Sequence, residues 1–204
     1  MTSILYKILF YYLFYFIDIK LRYITSIRYK NFDKKITDKM ARNWLCFFHA
    51  FTAVITSLNY YCNQDSLNYW LMENFSSGYF IFDFLYIINY DKISIVSYAY
   101  LYHHLASIYI LINGREYDVY RILLFAELSN LPSYLVYHNI KIKDEIKTLF
   151  WKKIQKIFYV IIRLPVLGYL TYDISNNVED QTPIYICFPV YIMGIIWSII
   201  LFTS

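Results

Sequence analysis

The sequence predicts an all-α polytopic membrane protein with about seven transmembrane helices. Its composition supports this class, because 59% of the 204 residues are hydrophobic and only 17% are charged, whereas about a quarter of a soluble domain is charged. The apolar residues also form runs of about 15–20, close to the roughly 20 residues with which a helix crosses a bilayer. The three cysteines lack metal-type spacing and are odd in number, so we expect free thiols and no disulfide framework.

Length and flanking polarity divide the apolar residues into seven segments. The first contains Lys7 near its start and Asp18 at its end, and it lacks the basic start and small-residue cleavage site of a removed signal peptide. The third is short and could extend upstream through Trp70. In chain order, the predicted segments are 3–19, 44–61, 75–89, 94–112, 120–138, 156–173 and 183–202.

The loops predicted between these segments alternate in charge. The 20–43 loop contains eight Lys or Arg residues and the 139–155 loop contains five lysines, whereas the 62–74 and 174–182 loops contain none. The 113–119 loop carries only Arg115, beside Glu116 and Asp118. The positive-inside rule therefore predicts a lumenal or external N-terminus and a cytosolic C-terminus. Because loop orientation accounts for the net charge of +4, we expect no nucleic-acid partner.

Several ionisable side chains lie within the predicted segments. Such groups cost roughly 2.5–3.5 kcal/mol each at membrane depth for Asp, Lys or Arg, so they usually face a protein interior or a water-filled cavity. We expect them to line one intramembrane polar cavity, although interhelical hydrogen bonding is the simpler role for any single one, and for Arg163 in particular. The predicted polar residues are His49, Asp83, His103, His104, Glu127, Asn130 and Arg163.

The paired histidines are the candidates for chemistry. Adjacent residues on a helix point about 100° apart, so at most one of His103 and His104 aims straight at a cavity centre. A neutral imidazole can act as base, nucleophile or ligand, and Asp83 or Glu127 could orient it. A mononuclear metal site from one of these histidines, His49 and a carboxylate is a further alternative. With four histidines in the chain and no metal-binding motif, we expect neither metal nor cofactor.

Four short motifs in order resemble those of the TLC domain family, which contains the ceramide synthases. The motif residues are Arg42-Asn43-Trp44 with His49-Ala50, then Ser77-Gly78-Tyr79-Phe80-Ile81-Phe82-Asp83, His103-His104-Leu105-Ala106 and Ala126-Glu127-Leu128-Ser129-Asn130. The last resembles the Glu-Leu-Ser motif of members that are not ceramide synthases. The resemblance implies a barrel of six helices around a lipid-sized cavity, built from the second to seventh segments. It divides the chain into an N-terminal helix with a basic loop, residues 1–36, and a TLC domain, residues 37–204.

The resemblance also implies residence in the endoplasmic reticulum or another internal membrane, with membrane lipids as partners. Two functions remain open. One is binding, transport or regulation of lipids without catalysis. The other is ceramide-synthase-like acyl transfer from acyl-CoA by His103 or His104. The downstream His-Asp and second Asp of ceramide synthases are absent here, which favours the first function. A membrane chaperone or trafficking adaptor is a third, structural interpretation, and no particular protein partner is predicted.

Overall fold

The chain forms seven helices in the part that the structure, a computed structural model, describes: residues 2–90, 94–113, 119–177, 179 and 181–203. Within these ranges there is no strand, so the all-α prediction is confirmed. The predicted loop charges Arg115, Glu116 and Asp118 lie outside the described residues. The helices are α1 (Thr2–Arg28), α2 (Lys34–Asn63), α3 (Ser66–Tyr90), α4 (Ile95–Asn113), α5 (Val119–Lys141), α6 (Glu145–Asn177) and α7 (Thr182–Thr203).

Four of these helices, α2, α4, α6 and α7, are long and apolar enough to cross a membrane. The prediction of a polytopic membrane protein is therefore supported, although only these four of the predicted spans qualify in the described chain. The other three helices carry polar groups in their apolar stretches: Lys7 and Asp18 in α1, Asp83 in α3 and Glu127 in α5. All four side chains are buried within the protein. Polar groups that are buried within the protein therefore lower the hydropathy of these three helices.

The helices extend well beyond the predicted apolar segments. The structure shows that three predicted loops are too long: 20–43, 62–74 and 139–155. The connections between the helices comprise only residues 29–33, 64–65 and 142–144. Hydropathy marks only the apolar part of a helix, whereas its backbone continues until a capping residue ends it. The predicted upstream extension of α3 through Trp70 is confirmed, because α3 begins at Ser66.

Aspartate side chains accept backbone N–H groups where three helices begin. Asp33 accepts from Lys35 N at 2.7 Å, Asp65 from Leu67 N at 2.9 Å and Asp144 from Lys147 N at 3.0 Å. The backbone N–H of Lys147 holds the pKa of Asp144 below its usual range. These caps fix the short connections and therefore the antiparallel packing of consecutive helices.

Contacts between six helices close a ring in the order α2, α3, α4, α7, α6, α5 and back to α2. Helix α1 packs against α2 and α3. At one end of the ring, Asn43 of α2 donates to the Tyr134 carbonyl of α5 at 2.9 Å, and Trp44 contacts the His138 ring. The connections 29–33 and 142–144 therefore lie at the same end of the ring.

Helix α1 is held by a close backbone approach and by buried side chains. Gly78 of α3 permits the approach, because a Cβ atom there would lie 2.5 Å from Phe10 Cβ and 3.0 Å from Tyr11 N. Phe14 is fully buried against Phe75 and Tyr79. Lys7 is buried as well, and its Nζ donates to Glu73 Oε1 at 2.8 Å on α3.

Helix α6 is irregular in its middle. Residues Tyr159–Val166 form a π-helical stretch that contains Arg163 and Pro165. Proline supplies no N–H to the helix, and π-helical turns within α-helices recur at functional sites. On α7, Tyr191 donates its hydroxyl to the Leu164 carbonyl at 3.0 Å. The irregular turn thus faces α7, with Arg163 directed into the ring.

Candidate functional site

Asp83 is the centre of the first polar cluster. Arg42 of α2 reaches its Oδ1 with Nε at 3.0 Å and Nη2 at 2.9 Å. His104 of α4 meets its Oδ2 with Nε2 at 2.9 Å. Asp83 and His104 are buried, and the Arg42 guanidinium lies 4.2 Å from the centre of the Tyr86 ring. One carboxylate therefore joins three helices, and its charge is matched by the permanent charge of Arg42.

Arg163 is the centre of the second cluster. Its Nε donates to Ser129 Oγ at 2.8 Å and its Nη2 donates to Asn130 Oδ1 at 2.6 Å, both on α5. The Asn130 amide nitrogen donates in turn to Glu127 Oε2 at 3.1 Å. Tyr159 lies against the guanidinium and donates to Asn130 Oδ1 at 3.4 Å. Asn130 is thus the bridge between the cation and the carboxyl group.

His49 lies between the two clusters. Its Nδ1 is 3.9 Å from Glu127 Oε1, and its ring stacks on Tyr79 at 3.8 Å between ring centres. Phe80 packs edge-on against the same ring and also contacts the His104 ring. His49 Nε2 and His104 Nδ1 are buried and have no hydrogen-bond partner in the described structure. The site is therefore one polar core, enclosed by aromatic rings on α3.

A cavity opens beside this core between α4, α5, α6 and α7. Its volume is about 90 Å³, counted as the space that the centre of a water molecule can occupy. The titratable and amide side chains of its wall are His103, Glu127, Asn130 and Arg163, and the hydroxyl groups of Ser107, Thr171 and Tyr191 also line it. The remaining wall is largely apolar and leads past Thr171 to a smaller hollow, with which it shares Ile110, Ile122, Thr171 and Cys187.

The structure brings the seven predicted polar residues together but gives them different positions. His103, Glu127, Asn130 and Arg163 line the cavity, whereas His49, Asp83 and His104 are packed behind its wall. The histidine pair divides as expected, since His103 faces the cavity and His104 bonds Asp83.

Four residues of the site were not predicted from the sequence: Arg42, Ser129, Tyr159 and Tyr191. Arg42 and Ser129 belong to the motifs that resemble the TLC family, but the motifs alone give neither residue a role in the site. Arg42 belongs to the predicted basic loop by sequence, although it lies two helical turns from His49 on the same face of α2. Ser129 precedes Asn130 and could have been interpreted as a polar partner for a buried cation. Nothing in the sequence distinguishes Tyr159 and Tyr191 from the other tyrosines of a chain that contains 25.

The arrangement offers a permanent cation, a carboxyl group and an imidazole to anything within the cavity. In the described part of the chain, no group of three or more His, Cys, Asp or Glu side chains could hold a metal ion. No family model matches the sequence, and no curated protein or solved structure matches it either.

Proposed function

We propose that the chain is a TLC-type integral membrane protein that binds a membrane lipid in this cavity, and through it transports lipids or regulates their composition. The observation that carries the proposal is the division of the cavity wall. His103, Glu127, Asn130 and Arg163 form one polar region, and an apolar passage leads away from it. An amphiphile has the same division between its head and its chain.

The free-energy cost of burying charged groups supports a functional role for the polar region of the cavity. Glu127 and Arg163 are buried, and a charged group at membrane depth is expensive unless it is paired or used. Ligand sites are typically apolar cavities with a few polar groups that fix the orientation of the ligand. A lipid head would contact groups whose burial is otherwise costly.

The TLC resemblance supports the same proposal through contacts between its motifs. Arg42, Asp83 and His104 stand in three separate motifs of the sequence, and Arg42 and His104 both contact Asp83 directly. His49 of the first motif lies 3.9 Å from Glu127 of the fourth. The ring of six helices, with α1 packed on α2 and α3, agrees with a barrel formed by the second to seventh segments. On this account the protein resides in the endoplasmic reticulum or another internal membrane.

The test is lipid analysis of the purified protein and of the cells that make it. We expect mass spectrometry to find a lipid class enriched over an unrelated membrane protein purified in the same detergent. Alanine at His103 or Arg163, which both line the cavity, should reduce that enrichment and alter the lipid composition of the cells. No enrichment, together with unchanged cellular lipids in both variants, contradicts the proposal.

One observation favours a second candidate, acyl transfer. His103 lines the cavity, and its buried Nδ1 has no hydrogen-bond partner in the described structure. A neutral His103 could take a proton from the amine of a sphingoid base as that nitrogen attacks the thioester carbonyl of acyl-CoA. The C–N bond forms, the C–S bond breaks, and the imidazolium returns its proton to the departing thiolate.

Labelled acyl-CoA and a sphingoid base, incubated with the purified protein, test this candidate. An amide product that disappears in His103→Ala supports acyl transfer. Absence of product with the unsubstituted protein rejects it and leaves lipid binding as the proposed function.

A further inference from the structure

We propose that the ligand of the cavity is a single-chain amphiphile with a carboxylate head, and that Arg163 binds this carboxylate. The inference rests on the proposed lipid-binding function and narrows it to a chemical class. It starts from the state of Arg163, which is only 6% exposed and lies at the polar region of the cavity wall.

Arg163 is a permanent cation without an anionic partner in the described structure. Its two side-chain hydrogen bonds go to the neutral oxygens of Ser129 and Asn130, and none of the ion pairs in the described ranges includes it. A guanidinium cannot lose its charge in a protein, and a buried charge needs a counter-charge. Arg42 satisfies this requirement through Asp83, whereas Arg163 does not.

The nearest available carboxyl group is held away from Arg163 by Asn130. The amide oxygen of Asn130 accepts from Arg163, and its amide nitrogen donates to Glu127. Glu127 Oε1 lies toward His49, at 3.9 Å from Nδ1. Asn130 therefore spaces the two charged groups, so Arg163 keeps capacity to bind an anion.

The remaining nitrogen of Arg163, Nη1, lies beside Gly194 of α7. The hydrogen bonds in the described structure use Nε and Nη2 and leave Nη1 available. A Cβ atom at Gly194 would be in van der Waals contact with Nη1 at 3.6 Å, and glycine leaves that position unfilled. Gly194 also lines the cavity. A carboxylate that enters the cavity can therefore accept from Nη1, and the imidazole of His103 lines the same cavity.

The volume of the cavity indicates one acyl chain. At about 10–15 Å³ for each water position, the volume of about 90 Å³ admits a narrow row of atoms and not two chains side by side. Ile110, Leu123, Leu167 and Val190 line the passage, which continues to the hollow beside Ile184. A carboxylate with one hydrocarbon chain fits both the polar region and the passage.

The experiment measures binding of four single-chain probes to the full-length protein in detergent: palmitate, hexadecanol, hexadecylamine and palmitoyl lysophosphatidate. We expect palmitate to bind most tightly. Arg163→Gln should weaken palmitate binding roughly tenfold, since a hydrogen bond to a charged group is lost, and should leave hexadecanol unaffected. Arg163→Lys should retain most of the affinity.

Glu127→Gln supplies an independent test that leaves Arg163 in place. It removes a negative charge near the proposed carboxylate, so palmitate should bind several times more tightly and hexadecylamine more weakly. Unchanged palmitate binding in both Arg163→Gln and Glu127→Gln overturns the inference. Tighter binding of hexadecanol or lysophosphatidate than of palmitate also overturns it, while lipid binding itself stands. If none of the four probes binds, the inference fails, and the lipid analysis of the purified protein and of the cells decides the proposed function separately.

Discussion

Asp83 shows how one buried carboxylate organises three helices. It accepts from Arg42 through one oxygen and contacts His104 through the other. The sequence predicted Asp83 and His104 as polar residues of the site, since both interrupt apolar segments. It did not predict a site role for Arg42, because a basic residue at the edge of an apolar segment is already explained by the positive-inside rule. Nor could it assign the two histidines, whose roles depend on the rotation of α4.

Asp83→Asn should lower the stability of the protein by about 3 kcal/mol, because breaking a buried pair leaves the other charge uncompensated. Thermal unfolding of the purified protein measures the effect. Asp33→Asn is the matched control, since Asp33 is exposed and asparagine is an equally good capping residue. The double variant Arg42→Gln with Asp83→Asn should recover part of the loss. If the double variant loses as much stability as the two single variants lose in total, the two residues are not coupled, and the pairing is contradicted.

At the scale of elements, the number and type of the helices were predictable and their irregularities were not. Hydropathy located all seven helices but missed the ends of α1, α2, α3 and α6, which continue into polar sequence. Pro165 signalled a disturbance in α6. The π-helical stretch around Arg163 could not be predicted, because it depends on packing against α5 and α7. The contact between α1 and α3 likewise depends on Gly78, one of only four glycines in the chain.

Gly78→Ala should destabilise the protein by forcing α1 away from α3. Alanine is intrinsically better than glycine in a helix by about 1 kcal/mol, but here its Cβ would lie 2.5 Å from Phe10 Cβ. Overpacking of this kind typically costs about 1–3 kcal/mol. Gly194→Ala is the matched control, because the nearest atom to its Cβ is Arg163 Cδ at 3.4 Å. Equal melting temperatures for the two variants would show that α1 is not packed this closely.

For the whole molecule, the alternating loop charge and the ring of helices agree on which connections lie at the same end of the helices. The connections 29–33 and 142–144 lie at one end of the ring, as the two basic loops require. Neither charge nor hydropathy predicts the order of the helices around the ring, and only the family resemblance implied a barrel. Adjacency depends on side-chain contacts such as that between Asn43 and the Tyr134 carbonyl.

Seven crossings predict alternating accessibility of single cysteines to a membrane-impermeant maleimide. Cys62 is exposed near the end of α2, and once Cys46 and Cys187 are replaced by serine it should react only from the lumenal side. Lys30→Cys and Ser94→Cys, each with all three native cysteines replaced by serine, should react only from the cytosolic side. Ser94 follows α3, so lumenal labelling there would show that α3 does not cross the membrane and would contradict the seven-span arrangement.

The most direct test of the central claim is the lipid content of the purified protein when the cavity is filled. Ala126 lines the cavity on α5, and Leu105 on α4 is 52% exposed on the outer surface. Ala126→Phe and Leu105→Phe therefore add similar bulk, inside and outside the cavity. For variants that remain folded by thermal unfolding, we expect the enriched lipid to be lost from Ala126→Phe and retained in Leu105→Phe. An equal amount of bound lipid in both variants would contradict a lipid site in this cavity.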